Sequence, residues 1–173
     1  MKEQEIAQKS FLGVPIHGDI DKVNPRAAQK PLEELAPLFQ AILDDPLIAE
    51  FGWNQYTPYF NDGDPCEFSV HDPWFRTTQD EENQYKDAYE VGSWTAHPTL
   101  GRIVIEYQGV YPDRRDVEVD VESDHEATLR ACLALKNAFG SGAFEDVLQT
   151  AFGDHAEIVV RRDGIDVETY EHD

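Results

Sequence analysis

Alternation of apolar and polar positions is clearest in the C-terminal half of the chain, where it predicts two β-hairpins. Residues 103–111 alternate apolar with polar side chains, and residues 117–122 alternate valine with Asp or Glu. That period is typical of half-buried strands. Asp163–Gly164 separates two β-branched runs, which predicts a two-residue turn. Such a turn pairs Val160 with Val167 and makes this hairpin part of the core sheet.

Helical spacing of apolar residues appears in three other segments. Residues 32–43, 123–139 and 144–152 each place apolar side chains on one helix face, as an amphipathic helix requires. Pro37 predicts a kink or a restart in the first helix, because proline disrupts a helix interior. The pair Asp45–Pro46 is typical of a helix start, so it predicts a short helix that ends at Glu50.

Two segments show no sustained period. Residues 51–66 are rich in aromatic and turn residues and predict a long loop, and residues 76–90 predict a solvated excursion. Together the elements predict an α+β fold, in which a mainly antiparallel sheet with the C-terminal hairpin packs against three or four helices. We expect one such domain over residues 31–173, preceded by an irregular arm over residues 1–30.

Composition agrees with a folded protein of this size. The chain has 173 residues, of which 40% are apolar, and that is ample for a core. Two cysteines, Cys66 and Cys132, predict buried thiols of a reducing compartment. The polar start Met1–Glu5 predicts no secretion signal, and no apolar run approaches the ~20 residues of a membrane span. We therefore expect a cytoplasmic protein, in a host cytoplasm if the chain is phage-encoded.

The net charge of −21 is the most unusual total of the sequence. Residues 1–31 carry five Lys or Arg against four Asp or Glu, whereas residues 32–173 carry nine against thirty-one. A field of that sign repels nucleic acid and anionic membranes and favours a basic partner. The sequence therefore predicts contact with a basic protein surface, with no direct nucleic acid and no membrane. The alternative is that the acidity serves solubility alone.

The acidic side of the second predicted strand is one candidate for the binding surface. Alternate carboxylates on a strand lie about 6.6 Å apart, a spacing similar to that of nucleic acid phosphates. We therefore expect a non-enzymatic binding protein, with inhibition of a host factor or mimicry of nucleic acid as its possible mode. The candidate residues are Asp116, Glu118, Asp120, Glu122 and Asp124.

A second candidate is the aromatic segment of residues 53–75. Tyrosine and tryptophan offer large contact areas with a polar atom, and they are frequent in binding sites. The alternative is a loop whose aromatic side chains fill the core. The candidate binding residues are Trp53, Tyr56, Tyr59 and Trp74.

Chemistry beyond binding has weaker signals. His71–Asp72 has the composition of a general base with an orienting carboxylate, but also of a strand end. Asp62, Asp64 and Glu67 resemble part of a calcium loop, yet their spacing fails that of an EF-hand. We therefore predict no cofactor and no metal, and keep two alternatives open: a small metal-dependent hydrolase that uses this region, and a structural or assembly protein of a virion. The oligomeric state is left open.

Two stretches carry a resemblance to known sequences. Residues 55–73, QYTPYFNDGDPCEFSVHDP, resemble a segment of an uncharacterised family of bacteriophage and bacterial proteins. The residues AFGDH at 151–155, RDG at 162–164 and the YEHD tail are similar to the C-termini of that family. The resemblance implies a phage or bacterial context and assigns no catalytic residue.

Overall fold

The computed structural model describes residues 10–17, 26–82 and 85–172. In chain order the elements are β1 (Ser10–Phe11), β2 (Val14–Pro15), α1 (Leu32–Leu43), β3 (Ile48–Tyr56), β4 (Ser69–Val70), β5 (Trp74–Thr77), a 3₁₀ turn (Lys86–Tyr89), β6 (Arg102–Gln108), β7 (Arg115–Glu122), α2 (Glu126–Gly140), α3 (Glu145–Phe152), β8 (Ala156–Arg161) and β9 (Gly164–Thr169).

Among the described residues the main sheet has five antiparallel strands, with β3 at its centre. One side of β3 pairs with β8, which pairs in turn with β9. The other side pairs with β4 and then with β5. Strands β6 and β7 form a separate hairpin, and the short β1 and β2 pair with each other. Three α-helices lie beside mostly antiparallel strands in the described part of the chain, so the predicted α+β class is confirmed.

One face of the main sheet is covered by the helices. On this side Trp53 of β3 meets Phe39 of α1 and Phe139 of α2 edge to face, with ring centroids 5.8 and 5.1 Å apart. The Trp53 Nε1–H donates to Oε1 of Gln55 at 3.0 Å, so its polar atom is satisfied inside the core. Trp53 has no exposed surface. The prediction that Trp53 binds a partner is therefore wrong: it is a core residue.

The chain from Pro46 to Tyr56 differs from the prediction of a short helix followed by a loop. Asp45 does not cap a helix; its Oδ1 accepts from the Leu47 amide at 2.9 Å and its carbonyl from the Ile48 amide at 3.2 Å. That turn leads directly into β3, the central strand. Because side chains on both faces of β3 are buried, its sequence lacks the alternation that would have predicted a strand.

The segment after residue 70 also differs from its prediction. His71–Pro73 only interrupts the edge of the sheet, and the chain pairs again with β3 as β5. Tyr89, inside the predicted solvated excursion, is 2% exposed and packs beside Trp74. The prediction failed because Tyr89 is a single buried residue that follows a run of polar residues, so no apolar pattern indicates its burial. Residues 83–84 of that excursion lie outside the described residues.

The C-terminal hairpin is confirmed as part of the main sheet, but with another register. Val160 pairs with Ile165 instead of Val167, and the turn residues are Arg162–Asp163. The shift of two residues keeps every side chain on its predicted face. In this register the Arg162 guanidinium donates to the backbone carbonyls of Leu43, the last residue of α1, and of Asp45.

The hairpin of β6 and β7 does not present one continuous acidic face. Asp120 lies opposite Val104, but after a one-residue register shift Glu118 lies opposite Ile105. Directly opposite residues share a face and neighbours on a strand do not. Asp120 and Glu118 therefore point to opposite sides of the hairpin. The predicted row of carboxylates is interrupted by a bulge that the alternation of the sequence does not reveal.

Three smaller predictions have mixed outcomes. Helix α1 runs through Pro37 without a break, with the proline on its exposed side. Cys132 is buried as predicted, but Cys66 is exposed, because it lies in the irregular surface segment before β4. Within the described residues no helix is long and apolar enough to cross a membrane.

Of the predicted arm, residues 1–9 and 18–25 lie outside the described residues. Residues 26–30 lie against the connection between α2 and α3. The Lys30 amide donates to the Ala143 carbonyl at 2.7 Å, and the Gln29 side chain donates to the Gly142 carbonyl at 2.8 Å.

Candidate binding cleft

The sheet face opposite the helices, here called the open face, is polar and contains the main cavity. Side chains alternate between the two faces of each strand, so this face takes the residues that the core does not. The open-face residues are Glu50, Gly52, Asn54, Trp74, Arg76, Glu157, Val159, Arg161, Asp166 and Glu168.

A cavity of about 730 Å³ lies over this face, and we call it the cleft. Its volume is within the range of ligand pockets, ~300–1,000 Å³. The interruption of the sheet edge at residues 71–73 and the 3₁₀ turn form part of its wall. The lining residues are Asn54, Tyr56, Val70, His71, Asp72, Trp74, Tyr85, Lys86, Asp87, Glu90, Glu157 and Tyr170.

A second cavity of about 460 Å³ adjoins the cleft and shares Asp72, Asp87 and Glu90 with it. We call it the side cavity. Lys136 of α2 lies in its wall. The Lys136 ammonium is 3.2 Å from Oδ2 of Asp72 and donates to the Val91 carbonyl at 2.9 Å. The three shared carboxylates thus line both the cleft and the side cavity.

Trp74 lies in the lining of the cleft, on the backbone of β3. A Cβ atom on Gly52 would lie 2.3 Å from the Ile158 carbonyl oxygen and 2.7 Å from the indole Cζ2 of Trp74. Only glycine permits such close packing. Trp74 is 6% exposed, and the Lys86 ammonium lies 4.7 Å from the centre of its ring. That distance is typical of a cation–π contact.

Beside Trp74, Glu50 is the centre of an ion-pair network across the open face. Arg76 Nε donates to one Glu50 oxygen at 3.0 Å and Arg161 Nε to the other at 2.7 Å, while Arg161 also pairs with Asp166. Burial opposes the charge of Glu50, but the hydrogen bonds from the two arginines outweigh it and lower its pKa. Lys86 is 4.0 Å from Glu50, beyond hydrogen-bond distance.

Glu90, one of the shared carboxyl groups, lies in surroundings that disfavour its negative charge. Burial raises the pKa of Glu90 above its usual 4.5, and the nearby charge of Asp72 raises it further. Lys136 opposes the rise and Asp87 adds to it. A carboxyl group whose pKa rises in this way lies where additional positive charge is favourable.

His71 lies in the wall of the cleft, where its ring stacks on Tyr56 at a centroid distance of 4.3 Å. Burial lowers the pKa of His71, although the charge of Asp72 opposes the change, so the imidazole is neutral at neutral pH. Within the described part of the chain its Nε2 is buried without a hydrogen-bond partner. His71 and Asp72 are thus together in the cleft, but the imidazole lacks the orienting bond of an assisted base.

The rim of the cleft is a stack of aromatic rings. Tyr56 stacks on His172 at 3.8 Å, and Tyr59 stacks on His172 and His155 at 4.6 and 4.9 Å. His155 Nδ1 and His172 Nε2 are 3.0 Å apart and share a hydrogen bond. The stack fixes the C-terminal tail so that Tyr170 lines the cleft.

The structure thus places the predicted binding residues in four locations. Tyr56 and Trp74 line the cleft, Tyr59 is exposed at its rim, and Trp53 is in the core. The five acidic residues of the β7 region lie on or next to the other hairpin. The charged cleft residues Lys86, Asp87, Glu90 and Glu157 were missed, because the segment 86–90 and the strand β8 that supply them have no local motif.

The weak metal alternative has no geometric basis in the described residues. Asp62, Asp64 and Glu67 are exposed, and the Asp64 amide donates to the Asn61 carbonyl at 2.7 Å in a simple turn. In residues 10–17, 26–82 and 85–172 no group of three or more His, Cys, Asp or Glu side chains could hold a metal ion.

Comparison of the chain with known protein families, with curated proteins and with solved structures found no match in any of the three.

Proposed function

We propose that this chain is a binding protein that recognises a basic partner protein through the cleft. The observation that carries the proposal is the charge of its lining: among the described residues Asp87, Glu90 and Glu157 line the cleft with one lysine, Lys86, while a fourth carboxylate, Asp72, pairs with Lys136. Aromatic side chains supply the remaining wall. Carboxylates next to aromatic rings suit the charged end and the apolar stem of lysine or arginine side chains.

The charge of the whole chain supports the same kind of partner. A net charge of −21 attracts a basic protein over a distance and raises its association rate. The cleft then supplies the specific contacts that the diffuse charge does not. Whether the β7 carboxylates add to the contact stays a prediction, and two of them are already neutralised by Arg130 and Arg102 at 2.6 and 2.7 Å.

An enzymatic role for His71 is the second candidate, since the orphaned Nε2 is in the wall of the same cavity. A neutral imidazole can accept a proton from a substrate. No hydrogen bond joins His71 to Asp72 in the described part of the chain, however, and Asp72 pairs with Lys136. This geometry favours binding over catalysis.

Two triple variants with the same change in net charge test the location of the site. The cleft variant combines Asp87→Asn, Glu90→Gln and Glu157→Gln, and the hairpin variant combines Glu118→Gln, Asp120→Asn and Glu122→Gln. A partner is first recovered from native extract with the tagged wild-type protein and then purified. By calorimetry, we expect the cleft variant to bind that partner at least about tenfold more weakly, and the hairpin variant to bind within about threefold of wild type.

Three results would contradict the proposal. An equal loss in both variants would mean that only overall charge matters. A larger loss in the hairpin variant would place the site on β7. Recovery of a turnover activity that His71→Ala abolishes, with the cleft triple variant fully active, would favour the enzymatic candidate.

A further inference from the structure

The contact between Lys86 and Trp74 shows which chemical group the cleft accepts. Its ammonium lies over the indole ring, and both side chains line the cleft. The Lys86 ammonium thus shows that the Trp74 ring can accept a cation. The indole packs closely against Gly52, so the backbone of β3 restricts access to the ring from that side.

Lys86 is held at this place weakly. Its ammonium is 4.0 Å from Glu50, whose two oxygens already accept hydrogen bonds from Arg76 and Arg161. The Lys86 side chain is 39% exposed. Within the described residues no carboxylate is hydrogen-bonded to Lys86, and a partly solvated lysine of this kind leaves its site at low cost. Another ammonium group can therefore replace it.

We propose that Trp74 is the seat for a lysine side chain of the partner, and that Lys86 occupies this seat until the partner displaces it. The inference rests on the function proposed above and assigns its ligand class, a primary ammonium on an alkyl stem. The incoming stem lies along Tyr56 and Tyr170, and the ammonium takes the position over the indole. Its charge meets the carboxylates of Asp87 and Glu157, which form no ion pair within the described residues.

The test uses the full chain and a five-residue lysine peptide, Ac-Gly-Gly-Lys-Gly-Gly-amide, with norleucine and arginine versions as comparison. The chain has three tryptophans, so an NMR spectrum has at most three indole N–H signals, assigned with Trp94→Phe and Trp74→Phe. We expect the lysine peptide to shift the Trp74 signal, the norleucine peptide to leave it in place, and the arginine peptide to bind more weakly than the lysine peptide.

Removal of the internal lysine is the decisive variant. Lys86→Gln removes the internal ammonium from the Trp74 ring. We expect the affinity for the lysine peptide to rise at least about threefold, since the ring is then always free to accept the peptide. Lys136→Gln is the matched control, because it removes the same charge from the side cavity and leaves the ring covered. We expect its gain in affinity to be less than half that of Lys86→Gln.

Equal gains in the two variants would overturn the inference, since charge alone would explain them. An unmoved Trp74 signal, tighter binding of the arginine peptide, or no binding of the lysine peptide even to Lys86→Gln would also overturn it. Each of these results leaves the proposed function intact if the cleft triple variant still loses its protein partner. The proposed function fails separately when that variant binds like wild type.

Discussion

The β6–β7 hairpin and the cleft are both acidic, yet their charges are arranged in opposite ways. On the hairpin, Glu118 and Glu122 are exposed and each pairs with an arginine. In the cleft, Asp72, Asp87 and Glu90 crowd together around one shared wall, and burial and mutual repulsion raise the pKa of Glu90. Glu118 and Glu122 are thus compensated by neighbouring arginines. In the described part of the chain Asp72 pairs with Lys136, but Asp87, Glu90 and Glu157 form no ion pair, and these three carboxylates suit a cationic ligand.

This difference teaches that a visible run of acidic residues is a weak indicator of a binding site. Exposed carboxylates in solvent gain little from a partner, because water and nearby arginines already stabilise them. Half-buried carboxylates gain more, since their charge is poorly solvated before the partner arrives. In the cleft these are Glu90 and Glu157, whereas Asp72 and Asp87 are exposed. The two regions can be separated experimentally through their effects on stability.

The largest expected effect is that of Gly52→Ala, which fills the space in which the Trp74 ring packs against β3. The added methyl group would lie 2.3 Å from the Ile158 carbonyl oxygen, between β3 and β8. Overpacking of this kind costs about 1–3 kcal/mol, and here the obstacle is backbone, so we expect the upper end of that range. Urea unfolding measures it. Gly164→Ala at the start of β9 is the control, because its Cβ meets nothing within 4 Å; similar losses in both variants would contradict the close packing.

A smaller effect is expected from acid, through His97. This buried imidazole accepts hydrogen bonds on Nδ1 from the Thr99 and Leu100 amides at 3.1 and 3.0 Å, and its Nε2–H donates to the Phe75 carbonyl at 2.6 Å. It thus joins β5, below the cleft, to the loop that leads into the hairpin. Burial lowers its pKa from 6.5, although Phe75 and Asp80 oppose the change.

Because the folded state keeps His97 neutral, its contribution to stability is fully present above pH 6.5 and decreases as the pH falls below that value towards the lowered pKa. We expect the melting temperature of the wild type to decrease from pH 7 to pH 5 more steeply than that of His97→Gln. Parallel curves would show that other groups cause the acid sensitivity.

The sequence predicted the regular parts of the fold and not the site, for a physical reason. Half-buried elements such as β6, β7 and α2 show a period, because one face meets water. The central strand β3 has no such period, since both of its faces are covered. The cleft residues Asp87, Glu90 and Glu157 come together only through the pairing of β3 with β5 and β8. Neither those long-range pairings nor the bulge opposite Val104 has a local signature.

The smallest effect is expected on the hairpin. The triple variant Glu118→Gln, Asp120→Asn and Glu122→Gln loses the ion pairs with Arg130 and Arg102, but it also removes negative charge from a strongly acidic chain. The two changes oppose each other, and exposed ion pairs contribute little in any case. We therefore expect the melting temperature to change by less than about 3 °C.

Sodium chloride sharpens that comparison. Screening weakens the repulsion within the whole acidic chain, so it should raise the melting temperature of wild type and triple variant alike. The hairpin retains Ile103 and Val121 against the core in both proteins, and differential scanning calorimetry at low and moderate salt measures the two shifts. The contrary result is a melting temperature that is more than about 5 °C lower in the variant and that neither added salt nor a second substitution at Arg130 restores. It would show that the hairpin carboxylates stabilise the fold. The hairpin carboxylates would then contribute to folding stability and would not form a surface of compensated charge.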